Sequence, residues 1–155
     1  RGAALRETCA LGYRTIGGSK RRVFVSFDVE RNRPFRDFFY QEGRKNDAMW
    51  RVSFASELYE EMDPMRISTA TGRINQCEAL VVLPSSSTYR SPGVLKEVAT
   101  RHTLQKSVIQ IVPYGAGSPH TIPNAGRVVR WEWDVVKRAV AAALAFGTRR
   151  YAMAH

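Results

Sequence analysis

The sequence predicts one α/β domain in which helices cover both faces of a mostly parallel five-stranded sheet. Three observations favour this fold. The chain has 155 residues, which fits a single domain with a core of ordinary size. Short apolar runs alternate with segments of helical period along most of its length. The run Ala79–Leu83 is apolar at every position, as expected for a central parallel strand that is buried on both faces.

The first strand is predicted at Val23–Phe27, a run of β-branched and aromatic residues without a helical period. The polar loop Asp28–Asn32 follows it directly, and Asn32 can cap a helix that Gly43 is expected to end. The apolar face of this helix carries three phenylalanines: Phe35, Phe38 and Phe39. A strand, a polar loop and a helix in this order open a βαβ unit.

The middle of the chain predicts two further strands. Trp50–Phe54 is a short one, after which Ser56 can cap a brief helix ended by Pro64. Arg66–Asn75 is expected to be helical and leads into the strand Glu78–Leu83.

The second half repeats the alternation of loop, helix and strand. Pro84–Arg90 is a loop rich in Ser and Thr, and Ser91 followed by Pro92 is typical of a helix start. That helix is expected to run to about His102, before the buried strand Lys106–Val112.

The end of the chain predicts a loop over Gly115–Asn124, an edge strand at Arg127–Val129 and a final helix that Gly147 ends. One face of this helix is marked by four residues at helical spacing: Trp133, Val136, Val140 and Leu144. Trp131 and Trp133 are interpreted as packing residues.

This alternation indicates a three-layer domain with the flavodoxin-like strand order 2-1-3-4-5. In that order a crevice opens between the first and third strands at their carboxyl ends. The loops Phe27–Asn32 and Pro84–Ser91 are expected to line it. The crevice is therefore the predicted functional site.

Carboxylates, hydroxyls and guanidinium groups are concentrated in these two loops. The candidates are Asp28, Glu30, Arg31, Asn32, Arg33, Ser85, Ser86, Ser87, Thr88, Tyr89, Arg90 and Ser91. In the helix that follows, the predicted buried stripe is Val94, Leu95 and Val98. Glu97 flanks that stripe and could lean toward the crevice, where a carboxylate can stabilise an oxocarbenium-like centre at a ribose. Equally, it could be a solvated residue paired with Lys96 or Arg101.

Several familiar sites are excluded by the residues present. A phospho-receiver domain needs an aspartate after the third strand, where this chain has Pro84-Ser85. There is no G-x-G-x-x-G, P-loop or nucleophile elbow. The three histidines are too scattered for a metal site, and Cys9 and Cys77 do not make a disulfide framework. A reduced, cytoplasmic setting without a membrane span is expected, and no metal is required.

The net charge of +10 is concentrated ahead of the first strand. Residues 1–22 carry six basic residues and one acidic residue, which is half of the excess. Residues 1–20, which end in Gly17-Gly18-Ser19, are predicted to be a basic flexible arm, and residues 21–155 the folded domain. Because the first residue is not Met, further residues are expected upstream. A solvated tail explains this charge better than nucleic-acid binding, since no aromatic-studded basic sheet is predicted.

Four stretches, in order and spacing, resemble bacterial TIR-like domains, and more specifically the Thoeris-type TIR proteins of antiphage defence. They are Arg22-Val-Phe-Val-Ser-Phe-Asp28, Ile74-Asn-Gln-Cys-Glu-Ala-Leu-Val-Val-Leu83, Thr88-Tyr-Arg-Ser-Pro-Gly-Val-Leu-Lys-Glu97 and Val129-Arg-Trp131. The resemblance covers residues 21–147. It implies a TIR fold and cleavage of the nicotinamide–ribose bond of NAD, an NAD⁺ nucleosidase or ADP-ribosyl cyclase activity. NAD would be the substrate, with no cofactor.

The resemblance also implies roles for particular residues. Glu97 matches the family's catalytic glutamate, and the nucleotide site is matched by a set of loop residues: Phe27, Asp28, Asn32, Ser85, Tyr89 and Ser91. The aromatic residues that often precede the family's glutamate are missing from Pro92–Glu97. Stacking against nicotinamide or adenine is therefore expected from Phe27 or Tyr89.

Such proteins tend to self-associate, and their cyclic or modified ADP-ribose product signals to a separate effector. Two other functions stay open from the sequence. One is a non-catalytic interaction module that uses the fold for assembly. The other is an enzyme like the nucleoside deoxyribosyltransferases, which also use a glutamate at a ribose.

Overall fold

A computed structural model of the chain describes residues 21–45, 49–57, 64–113 and 121–154. The predicted arm at 1–20, the brief helix predicted before Pro64 and residues 115–120 of the predicted loop lie outside these ranges. Among the described residues, no helix combines the length and the apolar character needed to cross a bilayer.

One sheet of five parallel strands forms the centre of the described structure. The strands are β1 (Arg21–Phe27), β2 (Trp50–Ala55), β3 (Ala79–Leu83), β4 (Ser107–Val112) and β5 (Arg127–Arg130). Their order across the sheet is β2-β1-β3-β4-β5. The predicted order 2-1-3-4-5 and the flavodoxin-like three-layer fold are therefore confirmed.

Four α-helices accompany the sheet in the described residues: α1 (Arg33–Lys45), α2 (Pro64–Asn75), α3 (Pro92–Thr103) and α4 (Trp133–Ala154). Three predicted boundaries are wrong. Helix α1 continues through Gly43 and α4 through Gly147, because an internal glycine costs a helix only about 1 kcal/mol. Helix α2 begins at Pro64, two residues before the predicted start at Arg66, since the first helical position needs no N–H donor.

The sheet separates two apolar cores. Helices α1 and α4 cover the first core, which contains Val23, Val25 and Phe27 of β1. Helices α2 and α3 cover the second, which contains Phe24. Successive side chains of a strand point to opposite faces, so β1 supplies both cores in strict alternation.

An aromatic cluster fills the space between α1, β2 and the start of α4. Its members are Phe35, Phe38, Phe39, Trp50, Trp131 and Trp133. The ring centroids of Phe38 and Trp131 lie 4.9 Å apart, and those of Trp50 and Trp133 lie 5.7 Å apart. Trp131 and Trp133 pack against the first core, which confirms their predicted packing role.

The segment before β5 is attached to β4 by a buried glutamine. Gln110 donates from Nε2 to the Ile122 carbonyl at 3.0 Å and accepts the Ile122 N–H at 2.8 Å. Gly126 then adopts a φ of +83°, and a Cβ there would lie 2.0 Å from the Val108 carbonyl oxygen. Only glycine fits this close approach between the segment and β4.

Replacing Gly126 with Ala should lower the free energy of unfolding by about 3 kcal/mol or more, because the added methyl collides with backbone in a left-handed conformation. Gly72→Ala is the matched control. Gly72 lies within α2 with nothing near its absent side chain, so alanine should stabilise by about 0.5–1 kcal/mol. Urea unfolding of the two variants measures the difference. Equal midpoints would contradict the described contact at Val108.

Cys77 should be chemically inert in the folded domain. Its side chain is buried, and burial raises the pKa of its thiol to about 11. Near pH 8 only about one thiol in a thousand is then a thiolate, which is the reactive form. In a Cys9→Ser variant, we expect Ellman's reagent to react about a hundredfold more slowly than with free cysteine, and without delay after unfolding in urea. A native rate equal to that of free cysteine would contradict this burial.

Candidate functional site

Glu97 lies about one and a half turns into α3 and is 1% exposed. It shares the buried face of the helix with Val94 and Val98, at the i, i+3, i+4 spacing of one helical stripe. Leu95, predicted to be in that stripe, is instead 41% exposed. The prediction for Leu95 is wrong, and the alternative of a solvated Glu97 is also wrong.

Two serine hydroxyls donate hydrogen bonds to the same oxygen of Glu97. Ser26 Oγ lies 2.6 Å and Ser56 Oγ 2.5 Å from Glu97 Oε1. Ser26 belongs to β1, and Ser56 follows β2 directly. Ser56 Oγ also accepts the Phe27 N–H at 3.0 Å, which leaves its own proton to be donated to the carboxylate.

Asp28 connects the two predicted walls of the crevice. Its Oδ2 accepts a hydrogen bond of 2.5 Å from Ser87 Oγ, and its Oδ1 accepts the Glu30 N–H at 3.1 Å. The guanidinium of Arg31 lies 3.8 Å from Oδ2, on the solvent side. The carboxylate is largely buried, so these donors hold its position firmly.

Asn32 makes a second connection at the same place. Its Nδ2 donates 2.8 Å to the carbonyl of Leu83, the last residue of β3. Its backbone N–H bonds to the Asp28 carbonyl at 2.8 Å, which closes the turn after β1. The side chain of this buried residue therefore joins the end of β1 to the end of β3.

The second wall is stabilised by its own hydroxyl groups. Thr88 Oγ1 is 2.8 Å from both the backbone nitrogen and Oγ of Ser85, and Thr88 is fully buried. Tyr89 is 38% exposed, with the guanidinium of Arg90 5.8 Å from its ring centroid. Ser91 is the N-cap residue of α3, where its side chain makes no capping hydrogen bond.

Phe27 is buried beneath an arginine. The guanidinium of Arg36 lies 5.2 Å from the Phe27 ring centroid and 5.3 Å from that of Tyr40. Burial raises the pKa of the Tyr40 phenol. With Phe27 covered in this way, the aromatic ring that the crevice presents to solvent among the predicted residues is Tyr89.

The structure thus brings most of the predicted residues to the carboxyl ends of β1 and β3. The sequence predicted no role for Ser26; it predicted Ser56 only as a helix cap and Ser87 as a crevice hydroxyl with no partner assigned. Ser26 alternates with the apolar residues of its strand, and a lone polar residue inside such a run was the available signal. The partners of Ser56 and Ser87 could not be predicted, since they lie 41 and 59 residues away in the sequence.

This arrangement can hold one buried carboxylate in a defined orientation near the two loops that were predicted to line a crevice. Among the described residues, His, Cys, Asp and Glu form no group of three or more suited to holding a metal ion. The expectation that no metal is required stays a prediction. No family model matches this chain, and no curated protein matches it.

Asn32→Asp should destabilise the domain by about 2–4 kcal/mol, because it replaces the donor to the buried Leu83 carbonyl with a carboxylate oxygen facing that carbonyl. Asn32→Ala should cost less, about 1–3 kcal/mol, since it only removes the donor. Asn75→Ala, at an exposed helix end, is the matched control and should change stability by under about 0.5 kcal/mol. Thermal and urea unfolding measure the series. Equal stability of the Asp and Ala variants would contradict the described bond.

Proposed function

We propose that this chain is an NAD-consuming enzyme that cleaves the nicotinamide–ribose bond. The observation that carries the proposal is the buried carboxylate of Glu97, held by two hydroxyls at the crevice end of a flavodoxin-like sheet. Ligands of such sheets bind where the strand order reverses, at the carboxyl ends of the strands. A carboxylate in that place is suited to a substrate whose reacting carbon becomes positively charged.

The chemistry follows from this charge. As the bond from the anomeric carbon to the nicotinamide nitrogen breaks, its electron pair leaves with the nicotinamide, which becomes neutral. Glu97 would stabilise the oxocarbenium-like ribose and bind its hydroxyls. Water or an atom of the same nucleotide then bonds to the anomeric carbon and releases a proton, which gives hydrolysis or cyclisation. Tyr89, the exposed aromatic of the crevice, is the candidate for stacking on a base.

The resemblance to Thoeris-type TIR proteins adds the biological setting to this proposal. The product would be a cyclic or modified ADP-ribose that signals to a separate effector during phage infection. Self-association of the chain belongs to the same proposal.

A second candidate function is a non-catalytic assembly module with the same fold. It is favoured by the hydrogen bonds of Asp28 and Asn32, which join the walls of the crevice. Glu97 is also covered by protein, so a nucleotide reaches it only if covering groups move. An assembly module would associate with itself and release no nicotinamide.

Glu97→Gln should abolish nicotinamide release, by at least about a hundredfold, and leave the fold intact. The amide keeps the size of the side chain and an oxygen that accepts from Ser26 and Ser56, but it carries no charge. The protein is purified from phage-infected and from uninfected cells and is incubated with NAD. Mass spectrometry then measures the products. Glu132→Gln, at an exposed position ahead of α4, is the matched control and should retain full activity.

The outcomes separate the candidate functions. Undiminished turnover in Glu97→Gln would contradict the assigned role of Glu97. No nicotinamide release by the native chain in either condition, together with concentration-dependent self-association, would favour the assembly module. Base exchange on incubation with a deoxynucleoside and a free base would instead indicate a deoxyribosyltransferase-like enzyme.

A further inference from the structure

We propose that Ser56 is a positioning residue for Glu97, and that a one-residue bulge at Ser53 in β2 is what brings Ser56 to it. This inference rests on the proposed function for its kinetic consequence. Its structural part concerns only the pairing of β1 with β2 and the bonds that follow from that pairing.

The bulge is visible in the strand register. Val23 of β1 pairs with Val52, and the next residue, Phe24, pairs with Phe54. Ser53 is therefore a surplus residue without a partner on β1. Its Oγ is buried and has no hydrogen-bond partner among the described residues, which is a local cost of the irregularity. Bulges are uncommon in parallel pairs and frequently re-aim side chains next to functional sites.

The bulge changes the face on which the end of β2 presents its side chains. Without it, the pairing of Val23 with Val52 would continue to a pairing of Phe27 with Ser56. Phe27 faces the first core, so Ser56 would then point toward α1 and α4, away from Glu97. With the surplus residue, Val25 pairs with Ala55, and Ser56 falls level with Ser26 on the α3 side.

The observed bonds agree with this shifted register. The Ser56 N–H donates to the Val25 carbonyl at 2.9 Å, as the next step of the parallel ladder. Ser56 Oγ accepts from the Phe27 N–H and donates to Glu97 Oε1, so it links the end of β1 to α3. Two hydroxyls bonded to one carboxylate oxygen fix the orientation of this buried carboxylate. A substrate that reaches Glu97 once the covering groups move meets a carboxylate that is already oriented.

The first test compares Ser56→Ala with Ser107→Ala. Both remove a serine hydroxyl, but Ser107 Oγ has no hydrogen-bond partner in the described part of the chain. For Ser56→Ala we expect kcat for nicotinamide release to fall about tenfold or more, with KM changed less than about threefold. Ser107→Ala should leave both constants unchanged. A kcat for Ser56→Ala within twofold of the native value would overturn the positioning role.

A second readout does not depend on activity. Because Ser56 Oγ accepts the Phe27 N–H, Ser56→Ala should speed hydrogen exchange at the Phe27 amide by about tenfold, while Ser107→Ala should not. If the native chain releases no nicotinamide, the proposed function fails, yet this exchange measurement still decides the structural part. An unchanged Phe27 exchange rate in Ser56→Ala would overturn it.

Deletion of Ser53 tests the register. A one-residue deletion inside a strand normally turns every following side chain to the other face. Here the deleted residue is the surplus one, so Phe54 and Ser56 should keep their pairing and Phe27 should keep its slow exchange. A deletion variant that loses this protection, or that does not fold, would overturn the assignment of Ser53 as the surplus residue.

Discussion

The alternation of β1 side chains between two cores is the constraint on which the rest of the structure depends. Val25 and Phe27 are buried under α1 and α4, and Phe24 is buried toward α2 and α3. Ser26 is therefore directed to the α3 side, where Glu97 lies. If β1 were shifted by one residue, Phe27 would lie against the Glu97 carboxylate, and the Ser26 hydroxyl would be buried in the first core. Since β2 and β3 pair with β1 from both sides, the register that packs the cores also builds the site.

The loops that follow β1 and β3 are themselves held in place by hydrogen bonds. The bond from Ser87 to the Asp28 carboxylate is charge-assisted, and the bond from Asn32 to Leu83 satisfies a buried carbonyl. Each contributes on the order of 1–3 kcal/mol, enough to hold the two walls together without making them part of the sheet. The part of the predicted crevice that these bonds hold is therefore its buried part. Tyr89 and Arg90 lie at its exposed rim, where side chains remain able to contact a ligand.

The fold could be predicted from the sequence more completely than the site. A run such as Ala79–Leu83 is apolar throughout, so strand positions, and with them the strand order, were predictable. Helix ends were not, because Gly43 and Gly147 are tolerated inside helices that tertiary packing holds. The burial of Glu97 in place of Leu95 depends on a rotation of α3 that helical period alone leaves open. The bulge at Ser53 depends on how β1 and β2 pair, so the sequence of β2 alone does not reveal it.

The free energy that it costs to bury the Glu97 carboxylate is the strongest physical reason to connect this site with function. A carboxylate that leaves water loses several kcal/mol of solvation, which interactions such as the hydrogen bonds from Ser26 and Ser56 must offset. An apolar residue in its place would extend the surface formed by Val94 and Val98 at no such cost. The chain also leaves the hydroxyl of Ser53 unsatisfied in the bulge that aligns Ser56. Two local departures from stable packing therefore converge on one carboxylate oxygen, and such departures are expected where a structure serves chemistry rather than stability.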